Sequence, residues 1–134
     1  MVHVPKADGT TRLCGDFAVT INPQLNIPHY PIPLPDNVFV KLQGGKRFIK
    51  LALKNAHQKL PLEPDSQQFV TINTHFGLYW NKRLPFGIAS SPAIFQRTMS
   101  IILQGLEHVV AILDDTLITR QDYEQHIHNL NPVA

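Results

Sequence analysis

Hydrophobic positions fall in short clusters whose spacing changes along the chain. Over residues 10–21, Leu13, Cys14, Phe17, Val19 and Ile21 alternate in part with polar neighbours, just after the turn-forming run Lys6-Ala7-Asp8-Gly9. That pattern predicts a hairpin or strand pair over 10–21. Pro23, Pro28, Pro31, Pro33 and Pro35 follow closely. Each fixes its own φ and biases the preceding residue away from helix, so this stretch reads as a rigid extended connector. Asp36 is placed to open a short helix with Val38, Phe39 and Leu42 on one face, ended by Gly44-Gly45.

Alternation returns at residues 47–53, where Phe48, Ile49, Leu51 and Leu53 surround Lys50 and predict a strand. Residues 69–73 and 78–84 predict two more, joined at Thr74-His75-Phe76-Gly77. The clearest helix signal comes next. Ser91 is a good N-cap, Pro92 suits the first helical position, and Phe95, Met99 and Ile102 lie at i, i+4 and i+7, with Gly105 where a C-cap glycine belongs. The apolar run Val109-Val110-Ala111-Ile112-Leu113 is then interrupted by Asp114-Asp115 before Thr116-Leu117-Ile118-Thr119 resumes a strand-like pattern. Two short strands joined there form a hairpin with both acids at its tip. Residues 123–130 predict the start of another helix. Strands and helices in this mixed order give an α+β fold.

Composition narrows the class. At 134 residues and 15.1 kDa, with 43% hydrophobic and 16% charged residues, the chain suits one soluble domain. Its net charge of +2 argues neither for a polyanion-coating protein nor for an acidic tail. The distribution is uneven, however: eleven basic residues face five acidic ones before residue 101, and one faces five after it. Cys14 is the one cysteine, so no internal disulfide forms, which favours a reducing intracellular setting without separating cytoplasm from nucleus. No apolar run approaches the roughly 20 residues that span a bilayer, and Met1 opens no signal segment, so no membrane partner is expected.

Two features carry candidate chemistry. Adjacent carboxylates repel and raise one another's pKa, a cost usually met by a cation, and magnesium with its hard oxygen ligands is the natural one. For an isolated dipeptide, an exposed Asp-Asp turn without a ligand is the plainer reading. Lys41, Lys46, Arg47, Lys50, Lys54 and Lys59 form a basic stretch with no acid over residues 37–62, either a solvated face or a phosphate-binding surface. His126 and His128 with Glu124 lack the paired Cys or His of a zinc site.

The run Leu84-Pro85-Phe86-Gly87-Ile88-Ala89-Ser90-Ser91-Pro92-Ala93-Ile94-Phe95-Gln96-Arg97 resembles the L-P-F-G-x-x-x-x-P-x-x-F-Q segment of reverse transcriptases of gypsy-like LTR retrotransposons and retroviruses. Ile112-Leu113-Asp114-Asp115 looks like their Y-x-D-D box, about twenty residues further on as in the family. Val4-Pro5-Lys6, Asp8-Gly9 and Arg12-Leu13-Cys14-Gly15-Asp16-Phe17 resemble V-P-K-x-D-G-x-x-R-x-C-x-D-[FY]. Tyr30-Pro31-Ile32-Pro33 and Lys50-Leu51-Ala52-Leu53 fall in order between them, so the resemblance covers nearly the whole chain.

The resemblance implies a right-hand polymerase fold, with fingers at about residues 1–27 and 60–90 and palm at about 28–59 and 91–134. It implies nucleotidyl transfer from dNTPs to a primer 3′-hydroxyl on an RNA or DNA template, with two Mg2+ ions roughly 3.5–4 Å apart stabilising the attacking and leaving oxygens. Asp114 and Asp115 take the catalytic, metal-holding positions. Arg12 matches the arginine that contacts the triphosphate, with Lys6 assisting. Phe86, Gly87, Asn55 and Ala56 match positions beside the nucleotide, and His57 matches the aromatic gate against a ribose 2′-hydroxyl.

The sequence also departs from the family. In K-[IL]-D-L-x-x-A-Y-x-Q, Ala52 stands at the third catalytic aspartate, and a methyl group ligates no metal. Losing about 4–5 kcal/mol of transition-state stabilisation slows the reaction by about three to four decades. His57, Lys59 and Ile112 are further departures. Upstream fingers, the rest of the palm, the thumb, and the ribonuclease H and integrase portions are expected to be absent from this chain, leaving a truncated domain. The expectation is a reverse-transcriptase-like domain with defective catalysis. The alternatives are a non-catalytic nucleic-acid-binding module and a protein-interaction relic.

Overall fold

Turn chemistry and strand propensity pair the chain locally, and the longer-range pairings then build two units. The computed structural model describes residues 1–26 and 29–120. One unit comprises Met1–Pro28 and Asn55–Pro92, the other His29–Lys54 and Ala93–Ala134. The helix expected over 123–130 and the residues Glu124, His126 and His128 lie outside the described residues.

In the first unit, β1 (Val2–Pro5) pairs antiparallel with β2 (Thr11–Cys14) in the register Val2↔Cys14 to Pro5↔Thr11. The turn at Lys6-Ala7-Asp8-Gly9 was legible, but the hairpin lies around it rather than over 10–21. Residues beyond Cys14 leave the sheet because Phe17 turns inward, joining Val70 and Ile88 in a core bordered by Ile21, Leu25, Leu62 and Ile72. Val19 is exposed there.

A 3-10 turn (Asn22–Gln24) stands where an extended connector was expected. Later in this unit come another 3-10 turn (Ala56–Lys59), the single helical turn α2 (Pro64–Gln67), and the hairpin of β4 (Thr71–Thr74) with β5 (Gly77–Trp80). Both of these strands are shorter than their hydrophobic runs. Residues Gln68–Val70 form a 3-10 turn that buries Val70, and just past Trp80 the strand gives way to an isolated bridge between Pro61 and Arg83.

The second unit is built on a three-stranded antiparallel sheet. Its elements are α1 (Pro35–Leu42), β3 (Arg47–Ala52), α3 (Ser91–Ile102) from Ala93 onward, β6 (Val109–Ile112) and β7 (Asp115–Arg120), while α2 belongs to the first unit. The strand order is β3-β7-β6. Alternation sends Leu51, Val109, Ala111 and Ile118 to one face, where they pack with Met99, Leu103 and Leu106. Val110, Ile112 and Leu117 on the other face pack with Val38 and Leu42 of α1.

Two helix positions depart from expectation. Phe39 is 70% exposed, since Val38 and Leu42 share an i, i+4 stripe that Phe39 misses by about 100° of helix rotation. Ile102 ends α3 exposed, and Leu103, four residues after Met99, takes its place in the core.

Candidate functional site

The second unit presents the carboxylates. β6 ends at Ile112, Leu113 and Asp114 make the turn, and Asp115 is already the first residue of β7. A buried side chain shapes that turn. Gln96 of α3, 1% exposed, donates from Nε2 to the Ala111 carbonyl at 2.9 Å and accepts the Leu113 N–H on Oε1 at 2.7 Å. The Leu53 N–H donates to the Asp114 carbonyl at 3.0 Å, tying the end of β3 to the same turn.

Ala52 lies directly opposite Asp115 in the β3–β7 ladder, and Ile112 faces Asp115 from the other side. The two-residue period places Lys50 on the same face as Ala52, diagonal to Asp115. Lys50 Nζ reaches Asp115 Oδ2 at 2.8 Å. Among the described residues, no group of three or more His, Cys, Asp or Glu side chains is arranged to hold a metal ion.

The first unit gathers the positions expected beside a nucleotide. The Arg12 guanidinium, on β2, lies over the Phe86 ring with Cζ 4.4 Å from its centroid. His57 meets the same ring edge-on at 5.4 Å. Arg12 Nε is buried with no hydrogen-bond acceptor among the described residues. Asn55, at φ 53, leads into the 3-10 turn, and Ala56 is 1% exposed beneath it.

Gly87 has φ +98, and a Cβ there would overlap the Gly15 carbonyl oxygen. The Asn22 carboxamide clamps this loop, donating to the Gly87 carbonyl and accepting the Ala89 N–H, both at 2.9 Å. Lys6 opens the β1–β2 turn beside Asp8, its N–H donating to the Thr10 carbonyl at 2.8 Å.

The structure therefore joins residue 52 with Asp115 and the Asp114 turn, and separately joins Arg12, His57 and Phe86. Sequence reasoning overlooked Gln96 and Asn22 as supports. For Gln96 a signal existed: it occupies the stripe of Pro92, Phe95 and Met99, where a solvated glutamine does not belong. Asn22 carried no comparable signal, because its partners are 65 and 67 residues away.

Residues 5–134 match the family described as "Reverse transcriptase (RNA-dependent DNA polymerase)". The chain is 32% identical over 122 residues to protein K02A2.6 of Caenorhabditis elegans, covering 90% of this chain and 10% of that protein. It is 30% identical over 135 residues to the transposon Tf2-3 polyprotein of Schizosaccharomyces pombe, covering 99% of this chain and 10% of the polyprotein. The chain thus spans about a tenth of the length of these curated relatives. Among solved structures it is similar to the foamy viral protease-reverse transcriptase dRH in complex with double-stranded DNA, with a TM-score of 0.87 and 23% identity over 98% of this chain and 23% of that one. The fold is that of reverse transcriptase fingers and palm.

Proposed function

Because this chain belongs to the reverse transcriptase (RNA-dependent DNA polymerase) family, in the form carried by retroelements, we propose that it is a polymerase-type domain whose nucleotidyl-transfer site is defective at residue 52. The observation that carries this reading is the register in which Ala52 faces Asp115. An aspartate at 52 would set its carboxylate beside that of Asp115, at the roughly 5 Å Cβ separation of facing strand residues. Alanine leaves Asp114 and Asp115 as the surviving carboxylates. This donor set does not fit a two-ion magnesium centre, and no chemical step is assigned through one.

On the same reading, fingers correspond to residues 1–27 and 60–90, and palm to 28–59 and 91–134. Arg12, assisted by Lys6, receives a nucleotide triphosphate. Its buried Nε supports that role, since a guanidinium N–H left without an acceptor costs about 1–3 kcal/mol and an anionic ligand would satisfy it. Phe86, Gly87, Asn55 and Ala56 border the nucleotide, and His57, edge-on to Phe86, holds the gate position. The partners are an RNA or DNA template-primer and a dNTP. A primer-extension assay on the chain with Mg2+ or Mn2+ is expected to show no incorporation above background. Robust incorporation would overturn the reading.

Lys41, Lys46, Arg47 and Lys54, all exposed on the palm-like unit, favour a second reading in which duplex binding outlives the chemistry. Titration with an RNA/DNA primer-template should then give affinity that falls steeply with salt. Absence of binding at low salt would exclude it.

A further inference from the structure

We propose that the β4–β5 hairpin pairs with the same hairpin of a second copy of this chain, β5 lying antiparallel to its own mate across a two-fold axis. The inference goes beyond the polymerase reading and does not depend on it. Its starting point is a property of the sequence: residues 66–81 contain no Asp, Glu, Lys, Arg or Pro. A strand at a sheet edge is usually guarded by charge, proline or a bulge, because its unpaired backbone groups accept another strand. This hairpin carries none of these guards. Its register runs unbroken from Thr71↔Trp80 to Thr74↔Gly77, and among the described residues no third strand joins it.

The two edges differ. β4 offers Thr71, Asn73 and Thr74 beside a half-buried Ile72, whereas Leu78, Tyr79 and Trp80 of β5 are all exposed. The Asn81 N–H donates to the Val70 carbonyl at 3.3 Å, and bonding alternates along an antiparallel pair, so Tyr79 also turns its backbone groups to β4 while Leu78 and Trp80 turn theirs to the open edge. A two-fold axis at Tyr79 then sets Leu78 opposite Trp80 of the second copy, which continues the backbone ladder and gathers apolar side chains on both faces. Lys82 falls opposite Phe76 of the second copy rather than its own mate, so no like charges meet. Phe69 and Phe76 extend the apolar surface at the base and the tip. Four aromatic rings and a leucine, each more than half exposed, offer roughly 600 Å2 per copy, somewhat below the ~800 Å2 of a standard interface. That predicts a reversible dimer with Kd on the order of 1–100 μM. The hairpin holds no cation for a phosphate backbone, which disfavours nucleic acid as the occupant, and pairing β5 with itself closes at two copies.

The test is sedimentation equilibrium of the full chain across roughly 1–300 μM, which brackets that constant. The parent should pass from monomer to dimer and no further. Tyr79→Lys sets two ammonium groups across the axis and should weaken dimerisation about tenfold or more, and Leu78→Lys should do the same. Phe39→Lys, at a comparably exposed apolar position of the other unit, should leave the dimer unchanged. Trp80 is the one tryptophan, so its emission gives a second reading: it should move to shorter wavelength as the parent dimerises and stay unshifted in Tyr79→Lys. Circular dichroism at the lowest concentration, where all variants are monomeric, checks that each has folded. A parent that stays monomeric throughout would overturn the proposal, as would a dimer that survives both β5 lysines or is lost in Phe39→Lys alone. Growth past the dimer would also overturn it, since β4 of one copy would then be pairing with β5 of the next.

Discussion

The Leu113 backbone N–H donates to Gln96 Oε1 at 2.7 Å while Leu113 itself sits at φ +50, in the left-handed region. That conformation costs a branched residue about 1–2 kcal/mol, so something must hold it. The glutamine does so by grasping both sides of the bend, through the Ala111 carbonyl before it and the Leu113 N–H within it. A buried α3 side chain thereby fixes the turn that carries Asp114.

Gln96→Ala should therefore destabilise the chain by about 2–4 kcal/mol, since it strands a buried acceptor and a half-buried donor. Urea denaturation measures the loss, and the Leu113 amide should lose protection from hydrogen exchange ahead of the β6–β7 ladder. Gln96→Glu keeps the acceptor for Leu113 but buries a carboxylate and turns an oxygen toward the Ala111 carbonyl, so it should cost at least as much unless the carboxyl is protonated. A Gln96→Ala variant as stable as the parent would contradict this role.

Ala52→Asp should lower stability in the absence of divalent ions, because it sets two carboxylates opposite each other across β3 and β7. Facing like charges cost about 0.2–1 kcal/mol, part of which Lys50 offsets. Added Mg2+ should reverse the loss in the variant and leave the parent nearly unchanged. Thermal unfolding with chelator and with Mg2+ checks this, and equal Mg2+ shifts for both proteins would contradict it.

How far the sequence could be read depended on whether the decisive contact was local. Ser91, Pro92 and the Phe95–Met99 spacing located α3 to within one residue of its start, because capping and periodicity are properties of one segment; the helix includes Ser91 itself, whose hydroxyl donates to the Pro85 carbonyl at 3.3 Å. The acids of the hairpin were equally legible, since two apolar runs bracket them. The first hairpin was displaced because Lys6-Ala7-Asp8-Gly9 has strand-forming residues on both sides, and only burial against Val70 and Ile88 removes Phe17 from the sheet. The ion pair of Lys50 with Asp115 was likewise hidden, because it depends on a register between strands 65 residues apart. Lys50 was visible as one charge in a basic stretch, but its partner was not.

Arg12 and Phe86 should prove energetically coupled. The guanidinium 4.4 Å from the ring centroid makes a cation–π contact worth about 0.5–1 kcal/mol when partly exposed. A double-mutant cycle of Arg12→Met and Phe86→Leu, read by urea denaturation, should return a coupling of about that size. Additive losses would mean that ring and guanidinium merely lie side by side.

Gly87→Ala should be more damaging than its exposure implies. The φ of +98 lies where L side chains strain, and the new Cβ meets the Gly15 carbonyl oxygen, a backbone atom that a rotamer change cannot move. About 2 kcal/mol or more should be lost in thermal or urea unfolding. Asn22→Ala releases the same loop from its clamp and should cost about 1–3 kcal/mol, without the backbone strain. A neutral Gly87→Ala would show that Gly15 and Gly87 readily separate.

Asp8 supplies a pH-dependent prediction in the first turn. The Thr10 hydroxyl donates to Asp8 Oδ1 at 2.6 Å, and the Thr10 backbone N–H reaches the same oxygen at 2.9 Å. These bonds favour the ionised carboxylate and hold Asp8 below its ordinary value of 3.8, the side-chain bond contributing most. The lowered value means that the associated stability is fully present above pH 3.8 and is lost as pH falls through the depressed pKa of the folded state. Thr10→Val removes the larger contribution and keeps the backbone bond, so the Asp8 carboxyl resonance should titrate at higher pH than in the parent, though still below an unbonded aspartate. An unmoved titration would show that the hydroxyl does not hold the carboxylate in solution.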